Sequence, residues 1–216
     1  MTAHKDQAIR DQLASGVATL RLELSEQAMQ QLLAYLALLH KWNRVYNLTA
    51  IRERSKWVSH HLLDSLAVMA HLPEGSMVDI GAGPGLPGIP IAVAQPERRV
   101  TLLDSNHKKG AFLQQAVIEG RLRNCAVHIG RAEDWHPATR FDGAISRAFS
   151  DLTGFADAAR GLVREGGWLA AMKGVHPDEE LAQLPNDLTV EQIVPLEVPG
   201  LRAARHLVLM RRGAAT

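Results

Sequence analysis

The residues able to do chemistry in this chain gather around MVDIGAGPGLPGIPIAVA, Met77 to Ala94. One acid, Asp79, lies inside an apolar strand-like run; glycines follow at 81, 83, 85 and 88, and a second apolar run from Ile89 can begin a helix. Glycine takes positive φ and admits a close neighbour, and N–H groups at a helix start suit an anionic or highly polar ligand. These features point to a nucleotide-like cofactor. A dinucleotide fingerprint requires G-x-G-x-x-G. Here Leu86 stands where the third glycine would be, and the pattern runs Gly81-x-Gly83-x-Gly85.

Acid-x-G-x-G-x-G resembles the first motif of the Rossmann-like methyltransferases, which implies S-adenosyl-L-methionine as cofactor. Other candidates come from the rule that open α/β sheets bind ligands at the carboxyl ends of their strands. Asp104 ends VTLLD, 25 residues after Asp79. It can accept hydrogen bonds from both ribose hydroxyls or belong to a helix N-cap region with Ser105 and Asn106; the strand-end rule favours ribose. Ala132 and Glu133 follow a third strand, where the edge of an adenine ring would lie. Glu133 and Asp134 fit a solvated first helical turn equally well. Arg147 ends a fourth strand, in FDGAISRAF. A charge there needs a partner, and a site role is favoured over a structural ion pair.

Several chemistries lack their residues. Where amino-methylating enzymes carry N/D-P-P-aromatic, this chain has Ser146-Arg147-Ala148. The single cysteine, Cys125, begins a strand and reads as a small buried hydrophobe rather than a nucleophile. No zinc-ligand spacing exists, and the adjacent His60 and His61 divide between a helix face and the core. This sparse inventory suits an acceptor atom that already has a free lone pair and needs no deprotonation. Guanine N7 is such an atom.

The elements that must hold these residues fall into two regions. Residues 1–72 read as helical, with Ile9, Leu13, Val17 and Leu20, then Met29, Leu32, Leu33, Leu36 and Leu39, at helix spacing. Ser25 is a candidate N-cap, with Leu24 and Met29 placed as a hydrophobic staple. A further helix is expected from about Ser55 through His71, with Trp57, His61, Leu66 and Met69 inward, and Pro73 and Gly75 close the region. Residues 73–216 then alternate strand and helix. Strands are predicted at Met77–Ile80, Val100–Leu103, Cys125–Ile129, Gly143–Ile145 and Trp168–Met172. Helices are predicted at Ile89–Ala94, His107–Glu119, Leu152–Val163 and Asp178–Leu184. The strand runs are short and almost continuously apolar, as in parallel sheets covered on both faces. Two more strands, Thr189–Leu196 and His206–Met210, with Pro199-Gly200 between them, suggest an antiparallel hairpin.

The 216 residues suit one domain with an appendage. No run approaches the ~20 apolar residues of a membrane span, and the polar, mixed-charge stretch MTAHKDQAIRDQLASG has no signal-peptide core. One cysteine cannot form an internal disulfide, which fits a reducing cytoplasm. At a net charge of +1, nucleic-acid binding must come from a local patch. Arginine outnumbers lysine 18 to 6. Its planar fork suits phosphate and guanine edges, though taken alone the excess is better read as a reflection of genomic base content.

Taken together, WNRVYNLTAIR, HHLLDSL, VDIGAGPGLPGIP, LLDSNHKKGAFL, GRAE, SRAF, MKG and VPGLRAARHLV, between about residues 24 and 211, resemble the RsmG family, also known as glucose-inhibited division protein B. The resemblance implies an α/β fold of the Rossmann-like class I methyltransferase type, with a mostly parallel seven-stranded sheet and an antiparallel C-terminal strand, preceded by an N-terminal helical region. It implies methylation of guanine N7 in small-subunit (16S) ribosomal RNA, within the 30S subunit or an assembly intermediate. It also implies that Gly81, Leu86, Ala132, Glu133 and Arg147 contact S-adenosyl-L-methionine, with Asp79, Gly83, Gly85 and Asp104 lining the site. Arg147 would position rather than transfer protons. Phosphate contacts are assigned to Arg44, Arg52, Arg54, Lys108, Lys109, Lys173, Arg202 and Arg205, each with a solvated surface role as the simpler alternative. Trp42 and Tyr46 can stack on bases, but core packing is favoured. Ala82 stands where the family often has Ser or Thr, and Gly110-Ala111 replace more basic residues. A non-catalytic ribosome-assembly factor and a nucleotide-dependent oxidoreductase are the competing readings.

Overall fold

Hydrophobic patterning alone predicts most of the sheet. The structure, a computed structural model, describes residues 2–147 and 149–213, with side chains described from Gln7 onward. Ala148 therefore lies outside the described residues. The strands are β1 (Met77–Ile80), β2 (Val100–Asp104), β3 (Cys125–Ile129), β4 (Phe141–Arg147), β5 (Val163–Lys173), β6 (Leu188–Pro195) and β7 (His206–Arg212). They form one sheet in the order β3-β2-β1-β4-β5-β7-β6. β1 to β5 pair in parallel. β7 pairs antiparallel with both neighbours, so it alone runs against the others. The chain moves outward from β1 to β3 and then returns to β4 on the other side of β1. Their carboxyl ends thus form the switch point where ligands bind in such sheets.

The helices are α1 (Thr2–Thr19), α2 (Glu26–Tyr46), α3 (Asp64–Leu66), α4 (Gly88–Ala94), α5 (His107–Glu119), α6 (Leu152–Arg160) and α7 (Asp178–Leu181). Period-two alternation in β1 sends Met77 and Asp79 to one face and Val78 and Ile80 to the other. Met77 joins a core built with α1, α2, α4 and α5; Val78 and Ile80 join a second core under α6, around Phe155 and Leu162. Among the described residues, no helix is long and apolar enough to cross a membrane.

Ser25 caps α2, its hydroxyl accepting from Ala28 N at 3.1 Å. Ser25→Ala is expected to cost about 1 kcal/mol, read as a lower urea midpoint at unchanged slope.

Three expectations need correction. The stretch Ser55–His71 is not one regular helix. It consists of a 3-10 turn (Arg54–Lys56), a π-helical turn (Val58–Leu63), α3 and a second 3-10 turn (Met69–His71). Nearly every residue from Trp57 to Val68 is buried, so no solvent face sets a 3.6-residue period and packing decides the local winding. α1 packs so tightly on it that a Cβ at Gly16 would lie 2.2 Å from Leu63 Cδ1. Secondly, α6 stops at Arg160 because β5 already starts at Val163. β5 runs through Gly166 at φ +67°, and the register with β4 shifts there, which hid its first half from an apolar-run criterion. Finally, β6 and β7 pair as expected, but residues 196–205 form a long connection that returns over Ser59 rather than a tight turn.

Candidate functional site

The turn after β1 is held from below. Gly81, Gly83 and Gly85 all have positive φ, at +70°, +57° and +87°. A Cβ at Gly81 would meet nothing within 4 Å, and one at Gly83 only Gly81 O at 3.8 Å. These two glycines border open space. Gly85 and Gly88 are glycines for another reason. A Cβ at Gly85 would strike Ile89 at 2.4 Å, and one at Gly88 would strike Leu102 at 2.3 Å and Asp79 Oδ2 at 2.7 Å. Four glycines of one motif thus divide between an open cradle and tight packing.

Two carboxylates shape that cradle. Asp79 is fully buried and its Oδ2 accepts from Gly88 N at 2.8 Å, while Oδ1 has no partner among the described residues. Burial pushes its carboxyl up to about 7, against the opposing pull of the Gly88 bond and Arg147. Asp104 is 7% exposed. Its Oδ2 accepts from Gly83 N at 2.8 Å and its Oδ1 from Asn106 N at 2.9 Å, with Lys109 Nζ 3.7 Å away. Asn106, rather than Asp104, caps α5, accepting from Lys108 N and Lys109 N. From the opposite side, Tyr35 of α2 donates its hydroxyl to Pro84 O at 2.7 Å.

A cleft of about 290 Å³ opens beside the turn, lined by Gly81, Asp104, Ala132 and Glu133 among others. Four of the cofactor candidates therefore meet there, and Asp79 is fully buried. Leu86 does not reach it with its side chain, which is 2% exposed within the core. The family resemblance alone makes Leu86 a ligand contact, and its backbone N–H is engaged as well, donating to Ala82 O at 3.1 Å.

Arg147 lines a second cleft, of about 320 Å³, with Thr49, His60, His61, Asp64, Lys173 and Arg205. Arg147 Nη1 donates to His60 O at 3.0 Å and to Asp64 Oδ2 at 3.1 Å. Arg205 Nε donates to Asp64 Oδ1 at 2.9 Å, and Lys173 pairs with Glu180 at 2.8 Å. His61 Nε2 lies 3.2 Å from Thr49 Oγ1. Burial, reinforced by Arg147, pushes its imidazole down to about 4, so it is neutral at pH 7. Of the proposed phosphate contacts, Lys173 and Arg205 enter this cleft and Lys109 the first. Arg44, Arg52, Arg54, Lys108 and Arg202 are exposed elsewhere. Trp42 packs against the core and stands 5.6 Å from the ring of Phe112.

A third cleft, of about 300 Å³, opens at the amino ends of β1 to β4 and includes Cys125, far from the strand ends that carry chemistry in such sheets. Burial pushes the Cys125 thiol up to about 12, which keeps it from acting as a thiolate. Among the described residues no group of three or more His, Cys, Asp or Glu converges as a metal-ligand set. Sequence reasoning missed Asp64 and Tyr35. An acid in the apolar run HHLLDSL was a usable signal, since a buried carboxylate requires a cation.

The seven-stranded sheet, the glycine turn after β1 and the acid ending β2 define a Rossmann-like methyltransferase. The family model GidB, described as rRNA small subunit methyltransferase G, matches residues 28–208, and the chain belongs to that family. Ribosomal RNA small subunit methyltransferase G of Laribacter hongkongensis is 51% identical over 200 residues, covering 93% of this chain and 97% of that protein. Its counterpart in Nitrosospira multiformis is 52% identical over 208 residues, covering 93% and 96%. Among solved structures, the glycopeptide N-methyltransferase MtfA complexed with S-adenosyl-L-methionine superposes with a TM-score of 0.61. It is 13% identical and covers 71% of this chain and 88% of that one, a likeness of fold alone.

Proposed function

We propose that the protein transfers a methyl group from S-adenosyl-L-methionine to N7 of a guanosine in small-subunit (16S) ribosomal RNA, in the cytoplasm, within a 30S subunit or an assembly intermediate. Beyond family membership, one observation carries the choice of acceptor. Asp64 is the only carboxylate among the described residues lining the second cleft, and both its oxygens are taken by arginines. Within that cleft no carboxylate is left to remove a proton, and burial holds the His61 imidazole at about 4, a weak base. Attack by N7 needs none, because the product is a cationic base.

The residues present fit the cofactor: open space borders Gly81 and Gly83, and a buried carboxylate oxygen of Asp79 lacks a partner. When bound, S-adenosyl-L-methionine supplies an already activated sulfonium methyl. Asp79, Gly81, Gly83, Gly85, Asp104, Ala132, Glu133 and Arg147 would hold it. Arg147 orients the reacting partners at the switch point, where in-line geometry is the main catalytic need. Lys173, Arg205 and Lys109 at the two clefts, with Arg44, Arg52, Arg54, Lys108 and Arg202 on the outer surface, would take RNA phosphates, and residues 1–72 would form part of that surface.

The test uses purified protein, methyl-labelled S-adenosyl-L-methionine, and both 30S subunits and deproteinised 16S RNA lacking the modification. The digests are scored for 7-methylguanosine. Label in another nucleotide would keep the class of reaction and refute the N7 assignment. Cofactor binding without transfer to either substrate would favour an assembly factor. Asp104→Ala, which frees Gly83 N and Asn106 N, is expected to weaken S-adenosylhomocysteine binding by about tenfold or more. Unchanged affinity in calorimetry would remove Asp104 from the cofactor site.

A further inference from the structure

We infer that Asp64 is a positioning residue for this reaction: its carboxylate clamps Arg147 and Arg205 together, so that the end of β4 and the β6–β7 connection present one fixed cationic wall to the second cleft. The inference deepens the function proposed above and rests on it. Asp64 is 1% exposed. It does not grip one arginine with both oxygens. Oδ2 takes Arg147 at 3.1 Å and Oδ1 takes Arg205 at 2.9 Å, joining residues 83 and 141 positions away along the chain. A carboxylate shared in this way fixes the two guanidinium groups relative to each other.

Three further observations support positioning over simple stability. Both arginines line the same cleft. Arg147 makes its hydrogen bonds to described residues through Nη1 alone, which leaves the rest of its fork for a ligand. The backbone that delivers Asp64 is the π-helical turn Val58–Leu63, a winding that is rare and found mostly at functional sites. The β6–β7 connection seats on the same turn, where a Cβ at Gly200 would come within 3.4 Å of Ser59 Cβ, and Leu196 N donates to Arg205 O at 2.8 Å. Two guanidiniums against one carboxylate leave one net positive charge, the sign an RNA phosphate requires.

Asp64→Glu tests the clamp because it keeps the charge and moves the carboxylate by one methylene. Expected is a kcat about tenfold lower or more, a larger loss than any accompanying rise in the KM for RNA or in the dissociation constant of S-adenosylhomocysteine. In an Arg147→Lys background the same substitution should cost about twofold or less, because the fork it positions is gone. A second readout needs no turnover. Nitrogen-15 NMR of the guanidinium Nε–H groups, assigned with Arg147→Lys and Arg205→Lys, should show both arginine signals moving together in Asp64→Glu. If Asp64→Glu does not fold, Arg205→Lys serves instead and should shift the Arg147 signal and lower kcat. Wild-type kcat in Asp64→Glu, a full-sized loss in the Arg147→Lys background, or unmoved arginine signals would overturn the inference. Failure of the wild type to form 7-methylguanosine would refute the proposed function, and the NMR comparison would still decide the clamp.

Discussion

Arg147→Ala is expected to lower methyl transfer to the RNA substrate by about a hundredfold or more, the scale on which misplaced reactants lose rate. The side chain stands at the switch point, on the strand end beside the glycine turn, and bonds only a backbone carbonyl and a shared carboxylate. Its loss leaves Asp64 with Arg205 as its one cation. Breaking a buried pair by removing one partner costs about 3–5 kcal/mol; Arg147 is 21% exposed and Asp64 keeps its second arginine, so the cost here falls below that range. The variant should still fold, and thermal melting run alongside the assay separates lost chemistry from lost structure. Because Arg147 is assigned no proton to transfer, the residual activity should keep the wild-type shape of its pH profile. A kcat within about threefold of wild type would remove Arg147 from the reaction.

Asp79→Asn is expected to change how stability of the ligand-free protein depends on pH. In the folded chain the Asp79 carboxyl holds its proton up to about 7, whereas in the unfolded chain it ionises near 4. Between those values the native state binds more protons than the unfolded state, so this group makes stability fall as pH rises from about 4 to about 7, by roughly 4 kcal/mol in all. Above that window the penalty is constant. His61 acts in the opposite sense. Its imidazole stays neutral down to about 4 while the unfolded form titrates near 6.5, so its contribution makes stability rise over about pH 4 to 6.5. The wild type should therefore show a shallow profile in which the two terms offset each other. Asp79→Asn uncovers the His61 slope, and its stability should climb clearly with pH relative to wild type. Urea unfolding at several pH values in matched buffers reads the difference. Superimposable profiles would mean that Asp79 is not held neutral.

The sequence carried the sheet well because parallel strands covered on both faces must be apolar throughout, and β1 to β3 are short runs of that kind. It carried the turn equally well, since only glycine fits both the positive φ at Gly81 and the close approach at Gly88. What it concealed lies where local pattern loses to tertiary packing. Trp57 to Val68 are enclosed on nearly all sides, so apolar spacing there reports burial and nothing about winding. β5 passes through a glycine with positive φ, which breaks the apolar run without ending the strand. Asp104 illustrates a different limit. Its place at a strand end was legible, but its bonds to Gly83 N and Asn106 N depend on two turns meeting in space. For Asp64 the need for a cation was legible, but its partners, 83 and 141 positions away, were not.

The packing of α2 has a consequence for how the chain must fold as it is made. Leu32, Leu36 and Leu39 belong to the same core as Ile91, Phe112 and Leu113, and Gln31 donates to Gly120 O. The first helices therefore leave the ribosome with an apolar face whose cover has not yet been synthesised. β1 then waits for β4 to close its second side, and β5 waits for β7, the seventh strand in chain order. Such a nascent chain keeps adhesive surface uncovered through most of its translation, the condition under which domains depend on chaperones. A ribosomal RNA methyltransferase of this topology thus cannot complete its central sheet until the last of its seven strands has emerged from a ribosome.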